Sequence, residues 1–403
     1  MKMPVPSLDR LSLAGKVVLL RADLNVPMKD GRVGDATRVL RLVPTIAELR
    51  SKGARVVAMS HFGRPDGRRR PDMSLAPLVP VLSAALGGAR VAFAEDCIGP
   101  AARAMIAGLG EGDVGLLENL RFHPGEEANE PGFAAELAAL GDIYVNDAFA
   151  AAHRAHASTE ALARLLPCAA GRLMQAELAA LGQALEHPRR PLAAIVGGAK
   201  VSTKLDLLDN LLARVDALVI GGGMANTFLF AAGVEVGLSL CERDMAPVAR
   251  RIAETARHGG KRLVLPIDAV VAPGLAAGAA AATVAIDAVP ADRMILDVGP
   301  RSIATIEAVL AESATLVWNG PVGAFEHPPF DRGTRAVALA VAARVGSGAL
   351  AAIAGGGDTV AALAQAGVED KLTYVSTAGG AFLEWLEGKT LPGVAALSRG
   401  AVN

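Results

Sequence analysis

Five arginines, Arg21, Arg38, Arg64, Arg121 and Arg154, and three histidines, His61, His153 and His156, fall in or beside polar segments that follow short apolar runs in the first half of the chain. A guanidinium presents a rigid fork that grips phosphate or carboxylate bidentately, so several converging would hold a small, highly anionic molecule. Asp23 and Asn25 could exchange hydrogen bonds with a hydroxyl of that molecule. Any one of these arginines taken alone reads as a solvated surface residue, but five behind successive runs do not. His153 and His156 have a spacing that could hold zinc, yet no third ligand stands nearby.

The second half is equipped differently. Gly197-Gly198-Ala199-Lys200, Gly221-Gly222-Gly223, Asn319-Gly320-Pro321, Gly355-Gly356-Gly357 and Gly379-Gly380 each follow an apolar run. Backbone N–H groups in such turns make a concave anion site, and a side chain there would block close approach. Lys200 and Lys204 add two ammonium groups four residues apart, on one helical face if a helix has begun, which could neutralise a transferring phosphoryl group. Asp358, with Thr359, supplies the acid that a Mg²⁺–nucleotide complex needs. The spacing of a Walker A loop fails at Leu383, and dinucleotide spacing fails at Asn226 and Val360.

These residues need elements to hold them. The first half carries apolar runs at Lys16–Leu20, Arg55–Met59, Arg90–Phe93, Val114–Leu117 and Ile143–Val145. The second carries them at Leu192–Val196, Ala217–Ile220, Arg262–Leu265, Met294–Leu296, Thr315–Val317, Leu350–Ile353 and Thr373–Val375. Such runs with helical segments between them predict an α/β fold of mostly parallel sheets flanked by helices, Rossmann-like in each half. Ligands then sit at the carboxyl ends of the strands, where the polar and glycine-rich segments lie. Leu173–Leu185 has helical composition, and His187-Pro188-Arg189-Arg190-Pro191 ends it. The expected division is a first domain over 1–172, a joining helix and linker over 173–190, and a second domain over 191–389.

The 403 residues are enough for two cores, and 52% hydrophobic with 20% charged residues describes a soluble globular chain. The 40 Lys and Arg nearly balance 41 Asp and Glu, which argues against nucleic-acid binding. The start has no apolar run long enough for a signal peptide, so a cytoplasmic location is expected. Ala269–Ile286 is uncharged and long enough to be considered as a membrane helix, but it is mostly Ala, and Pro273, Gly274 and Gly278 make it strand, loop and strand instead. Cys97, Cys168 and Cys241 are far apart in sequence and read as buried, inert thiols in a reducing compartment.

Nine ordered motifs resemble those of phosphoglycerate kinases. In the first half they are Arg21-Ala-Asp-Leu-Asn-Val-Pro27, Ser60-His-Phe-Gly-Arg-Pro65, Leu117-Glu-Asn-Leu-Arg-Phe122 and Asp147-Ala-Phe149 through Ser158. In the second they are Gly197-Gly-Ala-Lys-Val-Ser202, Gly221 through Phe228, Trp318-Asn-Gly-Pro-Val-Gly323, Gly355-Gly-Gly-Asp-Thr359 and Leu383 through Pro392. The resemblance implies reversible phosphoryl transfer between 1,3-bisphosphoglycerate and Mg-ADP, a step of glycolysis and gluconeogenesis, by a hinge-closing monomer with a cleft between its domains. It implies phosphoglycerate binding at Asp23, Asn25, Arg38, His61, Arg64, Arg121 and Arg154, with Phe62 and Gly63 in the same loop. Nucleotide binding is implied at Lys204, Glu326, Gly356, Gly357, Asp358 and Thr359, with Glu326 at the ribose and Asp358 at the metal. Gly221, Gly222, Gly223 and Pro321 would line the adenine side, and Lys200 and Asn319 would approach the phosphates. Arg38 and Lys200 are expected on the transferring group, assisted by the amides of Gly379 and Gly380, and residues 390–403 are expected to pack back on the first domain.

One position departs from the family pattern, since Ser376-Thr377 is followed by Ala378 where a third glycine is usual. Alanine resists positive φ, so the expectation is that Ala378 has negative φ and that Gly379 and Gly380 supply any left-handed geometry. Two alternatives stay open on the residues: a phosphotransferase acting on another small acid, and a nucleotide-binding protein that has lost catalysis.

Overall fold

The computed structural model describes residues 5–29, 31–276 and 280–399. It divides into two units, one of residues up to Leu178 together with those from Thr390, the other Ala179–Lys389.

The first unit is built on a parallel sheet of six strands in the order Val91–Ala94, Val114–Leu117, Arg55–Met59, Val17–Arg21, Ile143–Asn146 and Cys168–Ala170. The central strands read as unbroken apolar runs because both faces are covered by helices, which leaves no solvent side to demand alternation. Register decides what meets at the strand ends. Arg21 lies opposite Met59 on one side and Asn146 on the other, so the segments after Met59 and Asn146 emerge beside it. The strand Cys168–Ala170 was not expected from the sequence. Three small residues lack the β-branched signature, and pairing with Tyr144–Asn146 makes them a strand.

The second unit repeats the plan. Its parallel strands lie in the order Arg262–Val264, Ala217–Ile220, Leu192–Val196, Thr315–Asn319, Ala351–Gly355 and Tyr374–Ser376. In chain order this is 3-2-1-4-5-6, so the direction of winding reverses between Leu192–Val196 and Thr315–Asn319. Asn319 pairs with Val196, and Gly197 and Gly320 therefore leave the sheet side by side at that switch point. The run beginning at Met294 is a strand, Met294–Val298, but it belongs to a separate antiparallel sheet with Asp268–Ala272 and Ala282–Ala285. Composition could not reveal that, since strand direction is set by connection and not by residue type. The Ala269–Ile286 stretch thus holds two strands, and of the loop between them residues 277–279 lie outside the described residues. Among the described residues no helix is long and apolar enough to cross a membrane.

The helix Arg172–Leu185 carries the chain from the first unit into the second. Its first turn is held by side chains of the first unit: Arg172 N donates to Thr45 Oγ1 at 3.1 Å and Met174 N to the Asp147 carboxylate at 3.0 Å. Burial raises the pKa of Asp147 above the ordinary carboxylate value. The helix Pro392–Arg399 packs on Cys168–Ala170 and on the turns Ala157–Ala161 and Leu162–Arg164, and Gly393 N donates to Ala152 O at 2.9 Å.

Candidate functional site

Cations of the first unit gather at the carboxyl ends of its strands. Arg21 ends the strand Val17–Arg21, is 1% exposed, and lays Nη2 against His61 Nδ1 at 3.1 Å. Arg121, 3% exposed, donates to Gly63 O at 2.7 Å and stands 3.1 Å from Glu127. The loop from Ser60 is pinned by two asparagines. Asn119 Oδ1 accepts from Phe62 N at 3.0 Å, its Nδ2 donates to Phe62 O at 2.7 Å, and Asn25 Oδ1 accepts from Gly63 N at 3.1 Å. Gly63 has φ of +60°, a backbone few side chains tolerate.

Arg38 lies in the first turn of the helix Thr37–Ser51 and donates through Nη1 to Asp23 Oδ2 at 2.8 Å and to Asn25 O at 3.0 Å. Asp23, Asn25, Arg38, His61, Phe62, Gly63 and Arg121 are therefore one connected array. Arg154 joins it electrostatically, since its charge with those of Arg21 and Arg121 adds to the effect of burial on His61 and His156. Burial is the larger cause in both, and His156 falls to about 4 while His61 lies well below the usual imidazole value. Arg64 follows in the same loop and is exposed.

In the second unit the glycine turns meet at the switch point. Lys204 Nζ donates to Gly197 O at 2.6 Å and to Asn319 Oδ1 at 2.6 Å, while Asn319 Nδ2 donates to Gly355 O at 2.8 Å. Gly320 N donates to Thr359 Oγ1 at 2.7 Å. One ammonium and one amide thus tie three turns together. Burial lowers the Lys204 pKa to about 8, and the Asp358 charge works the other way. The expected role of the glycines needs a correction. A Cβ on Gly197 would meet Pro321 O at 1.8 Å and one on Gly320 would meet Gly197 O at 2.1 Å, so these two are glycine because the turns press on each other. Keeping space for a ligand is not what these two positions require.

Beside the turns is a cavity of about 330 Å³, lined among others by Gly222, Gly223, Pro321, Glu326 and Asp358. Asp358 and Thr359 lie in the first turn of the helix Gly357–Gln365, and Gly221 precedes the helix Gly222–Ala231. Leu240, Leu275, Leu296 and Phe325 also line the cavity. Sequence reading missed this apolar wall, because single leucines scattered over a long segment carry no periodic signal.

The lysine pair is also corrected. Lys204 closes a 3₁₀ turn, Ser202–Lys204, and the α-helix begins only at Leu205. Lys200 is exposed, ahead of any helix, and its charge helps lower the pKa of Glu242, so the two lysines do not share a helical face.

Ser376 pairs with Gly355, which brings the segment after it out beside Gly356. Gly379 takes φ of +46° and Gly380 opens the helix Gly380–Leu386. Ala378 is not among the positive-φ residues, as expected; it is buried, and its N–H donates to Ser376 Oγ at 3.2 Å. Ala378→Gly will therefore destabilise the protein by roughly 0.4 to 1 kcal/mol through the freer unfolded chain, with turnover nearly unchanged. Denaturant melts beside kinetics check this, and a glycine variant both more stable and clearly faster would refute it.

Burial raises the pKa of all three thiols, well above the usual value at Cys97 and to about 11 at Cys168; Cys241 is only half-buried, against the expectation of three buried thiols. Among the described residues one trio of possible metal ligands, Asp96, Cys97 and His123, comes within 4.8 Å, which sequence spacing did not reveal. Asp96 Oδ1 is already engaged there, with His123 Nε2 at 2.7 Å and Cys97 N at 2.7 Å.

The family model described as phosphoglycerate kinase matches residues 8–389. A phosphoglycerate kinase of Methylorubrum extorquens strain PA1 is 64% identical over 389 residues, 96% of this chain and 97% of that protein. One from Cereibacter sphaeroides strain ATCC 17029 is 60% identical over 392 residues, 97% of this chain and 99% of that protein. The structure of phosphoglycerate kinase from Coxiella burnetii superposes with a TM-score of 0.91 at 45% identity, over 98% of this chain and 99% of that one. Likeness in sequence and in shape, over nearly the whole length of each partner, places this chain in the phosphoglycerate kinase family.

Proposed function

We infer that the family's reaction, reversible phosphoryl transfer between 1,3-bisphosphoglycerate and Mg-ADP, runs on this chain by direct in-line displacement between ligands held on its two units. The observation that carries this reading is the division of labour. The first unit collects Arg21, Arg38, His61, Arg121 and Arg154 into one array, and the second ties its glycine turns around Lys204 beside a nucleotide-sized cavity.

The array suits 3-phosphoglycerate, an anion at both ends, with Asp23 and Asn25 near its hydroxyl and Arg38, Arg64, Arg121 and Arg154 on its charges. Gly221 to Gly223, Pro321 and Glu326 would take the nucleoside, and Gly356 to Thr359 with Asn319 its phosphates. Asp358 fits a Mg²⁺ ion in the way that ion is usually held, by one carboxylate at the cavity edge with phosphate oxygens as the other ligands. Bound with the nucleotide, the ion would neutralise charge on the phosphates.

Loose phosphoryl transfer leaves the protein little covalent work, so positioning and charge neutralisation carry the rate. Arg38, Lys200, Lys204 and the amides of Gly379 and Gly380 are assigned to the transferring group. A closing motion about the segment that joins the units is part of the proposal, since it brings the ligands together and keeps water from the acyl phosphate. A monomer is part of the proposal, and three free thiols suit the cytosol. A coupled assay of ATP formation from 1,3-bisphosphoglycerate and Mg-ADP tests the reading. Activity absent here, or greater on another phosphorylated acid, would overturn it.

Lys204 adds a test by protons. With its pKa lowered to about 8, the ammonium is largely neutral just above that pH, and a polyphosphate beside it restores the charge. Mg-nucleotide binding should take up a sizeable fraction of a proton between about pH 8 and 9, read by calorimetry in buffers of different ionisation heat. Lys204→Met should abolish the uptake, and none in the parent would mean that nucleotide binding does not change the protonation of Lys204. In the free protein the sign is set by the unfolded chain, which binds the extra proton between about pH 8 and 10.5, so stability rises with pH across that window.

A further inference from the structure

Under the first unit's array lies a buried acid to which no role has been given. Glu126, in the short helix Pro124–Glu127, is wholly shielded from solvent, as is Ser158. Glu126 Oε1 accepts from Ser158 Oγ at 2.6 Å and Oε2 from Ser158 N at 2.9 Å. Ser158 Oγ in turn accepts from Arg21 Nε at 2.8 Å, and Arg21 Nη2 meets His61 Nδ1 at 3.1 Å.

Arg21 forces the direction of both bonds it makes in this chain. A guanidinium has donors and no acceptor, so both of its contacts are donated. Ser158 Oγ accepts from Arg21 with one lone pair and gives its only proton to the Glu126 carboxylate; burial raises the pKa of Glu126, and the Arg21 charge works the other way. His61 Nδ1 must present a lone pair to Arg21, so a neutral ring carries its proton on Nε2. Protonating Nδ1 would set two donors face to face, and the charges around the ring oppose it as well, from Arg21, Arg121 and Arg154 and, when protonated, from His156.

We propose that Glu126, acting through Ser158 and Arg21, is a positioning residue that locks His61 as the neutral Nε2–H tautomer, a fixed hydrogen-bond donor to the acidic ligand of the first unit. The ligand's identity rests on the function proposed above, but the lock does not. A ring that could take either tautomer, or gain charge near neutrality, would present a lone pair or a cation in turn. The relay removes both options before the ligand arrives, so ligand affinity does not follow the titration of an ordinary histidine. As a carboxylate, Glu126 also offsets the Arg21 charge across one hydroxyl, the same attraction that works against the burial-driven rise of its pKa.

Nitrogen NMR of the imidazoles in the ligand-free full-length protein reads the lock directly, with His61→Gln assigning the signal. The expected spectrum has His61 Nδ1 unprotonated and Nε2 protonated, unchanged between about pH 6 and 8. A protonated Nδ1, or a His61 that titrates in that range, would overturn the proposal. Ser158→Ala cuts the relay without inserting charge, and Glu126→Ala removes its anchor. In whichever variant melts like the parent, His61 should show mixed tautomers, and KM for 3-phosphoglycerate should rise at least about tenfold. KM for Mg-ATP should stay the same. Parent-like His61 signals in a well-folded relay variant would also sink the idea. If the parent spectrum is as expected but 3-phosphoglycerate leaves the His61 signals unmoved, the lock stands and the assignment of the site fails.

Discussion

Arg38→Ala will lower kcat by about a hundred- to a thousandfold, some 2.7 to 4 kcal/mol of transition-state stabilisation, while KM for 3-phosphoglycerate changes far less. The reason is where Arg38 is held. Its helix begins at Thr37, and Asp23 and the Asn25 carbonyl grip Nη1 so that the guanidinium is already aimed when the ligand arrives. A pre-aimed cation gains most where charge builds as the bond rearranges, and it costs no reorganisation at that moment. The fold has little at stake in it. The Arg38–Asp23 pair is partly exposed, with a third of the arginine side chain open to solvent, and such pairs contribute about 0 to 1 kcal/mol. Kinetics and melting should therefore part company, with a large loss in kcat and a small loss in stability. A kcat within about threefold of the parent would mean that Arg38 is peripheral.

Asp358→Asn will weaken binding of the Mg-nucleotide complex by about tenfold to a hundredfold and leave 3-phosphoglycerate binding alone. The substitution keeps the shape and removes the charge. Asp358 lies in the first turn of its helix at the cavity edge, where the helix dipole already favours an anion. Losing that favourable term costs about 0.3 to 1 kcal/mol of stability, too little to unfold the unit. The variant should also lower the Lys204 pKa further, because the Asp358 charge is what opposes burial there. Calorimetry with each ligand in turn is the check. Equal losses for both would point to damage of the fold and remove Asp358 from the metal.

The sheets were legible wherever a strand is buried on both faces. Arg55–Met59, Val114–Leu117, Leu192–Val196 and Ala217–Ile220 end where their apolar runs end, because helices cover both sides and only apolar residues fit. Cys168–Ala170 escaped because its small residues take their conformation from a neighbour, and Met294–Val298 misled because direction belongs to topology. At Ala378 local chemistry sufficed, since a Cβ disfavours positive φ and a glycine follows.

By itself, then, the sequence determined which residue types stand at the strand ends, arginine and histidine in one half, glycine and lysine in the other, and therefore the kind of ligand each half can hold. Only the tertiary structure decided how those residues serve. Gly197 and Gly320 are small because two turns from strands far apart in sequence collide, and Lys204, separated from Lys200 by the late start of a helix, is the ammonium drawn into the turns. Glu126 and Ser158 lie 32 residues apart, and Ser158 and Arg21 lie 137 apart, so nothing in local spacing links them. Periodicity reports which face of an element is buried, whereas the direction of a hydrogen bond depends on which groups the fold brings within 3 Å or so of each other.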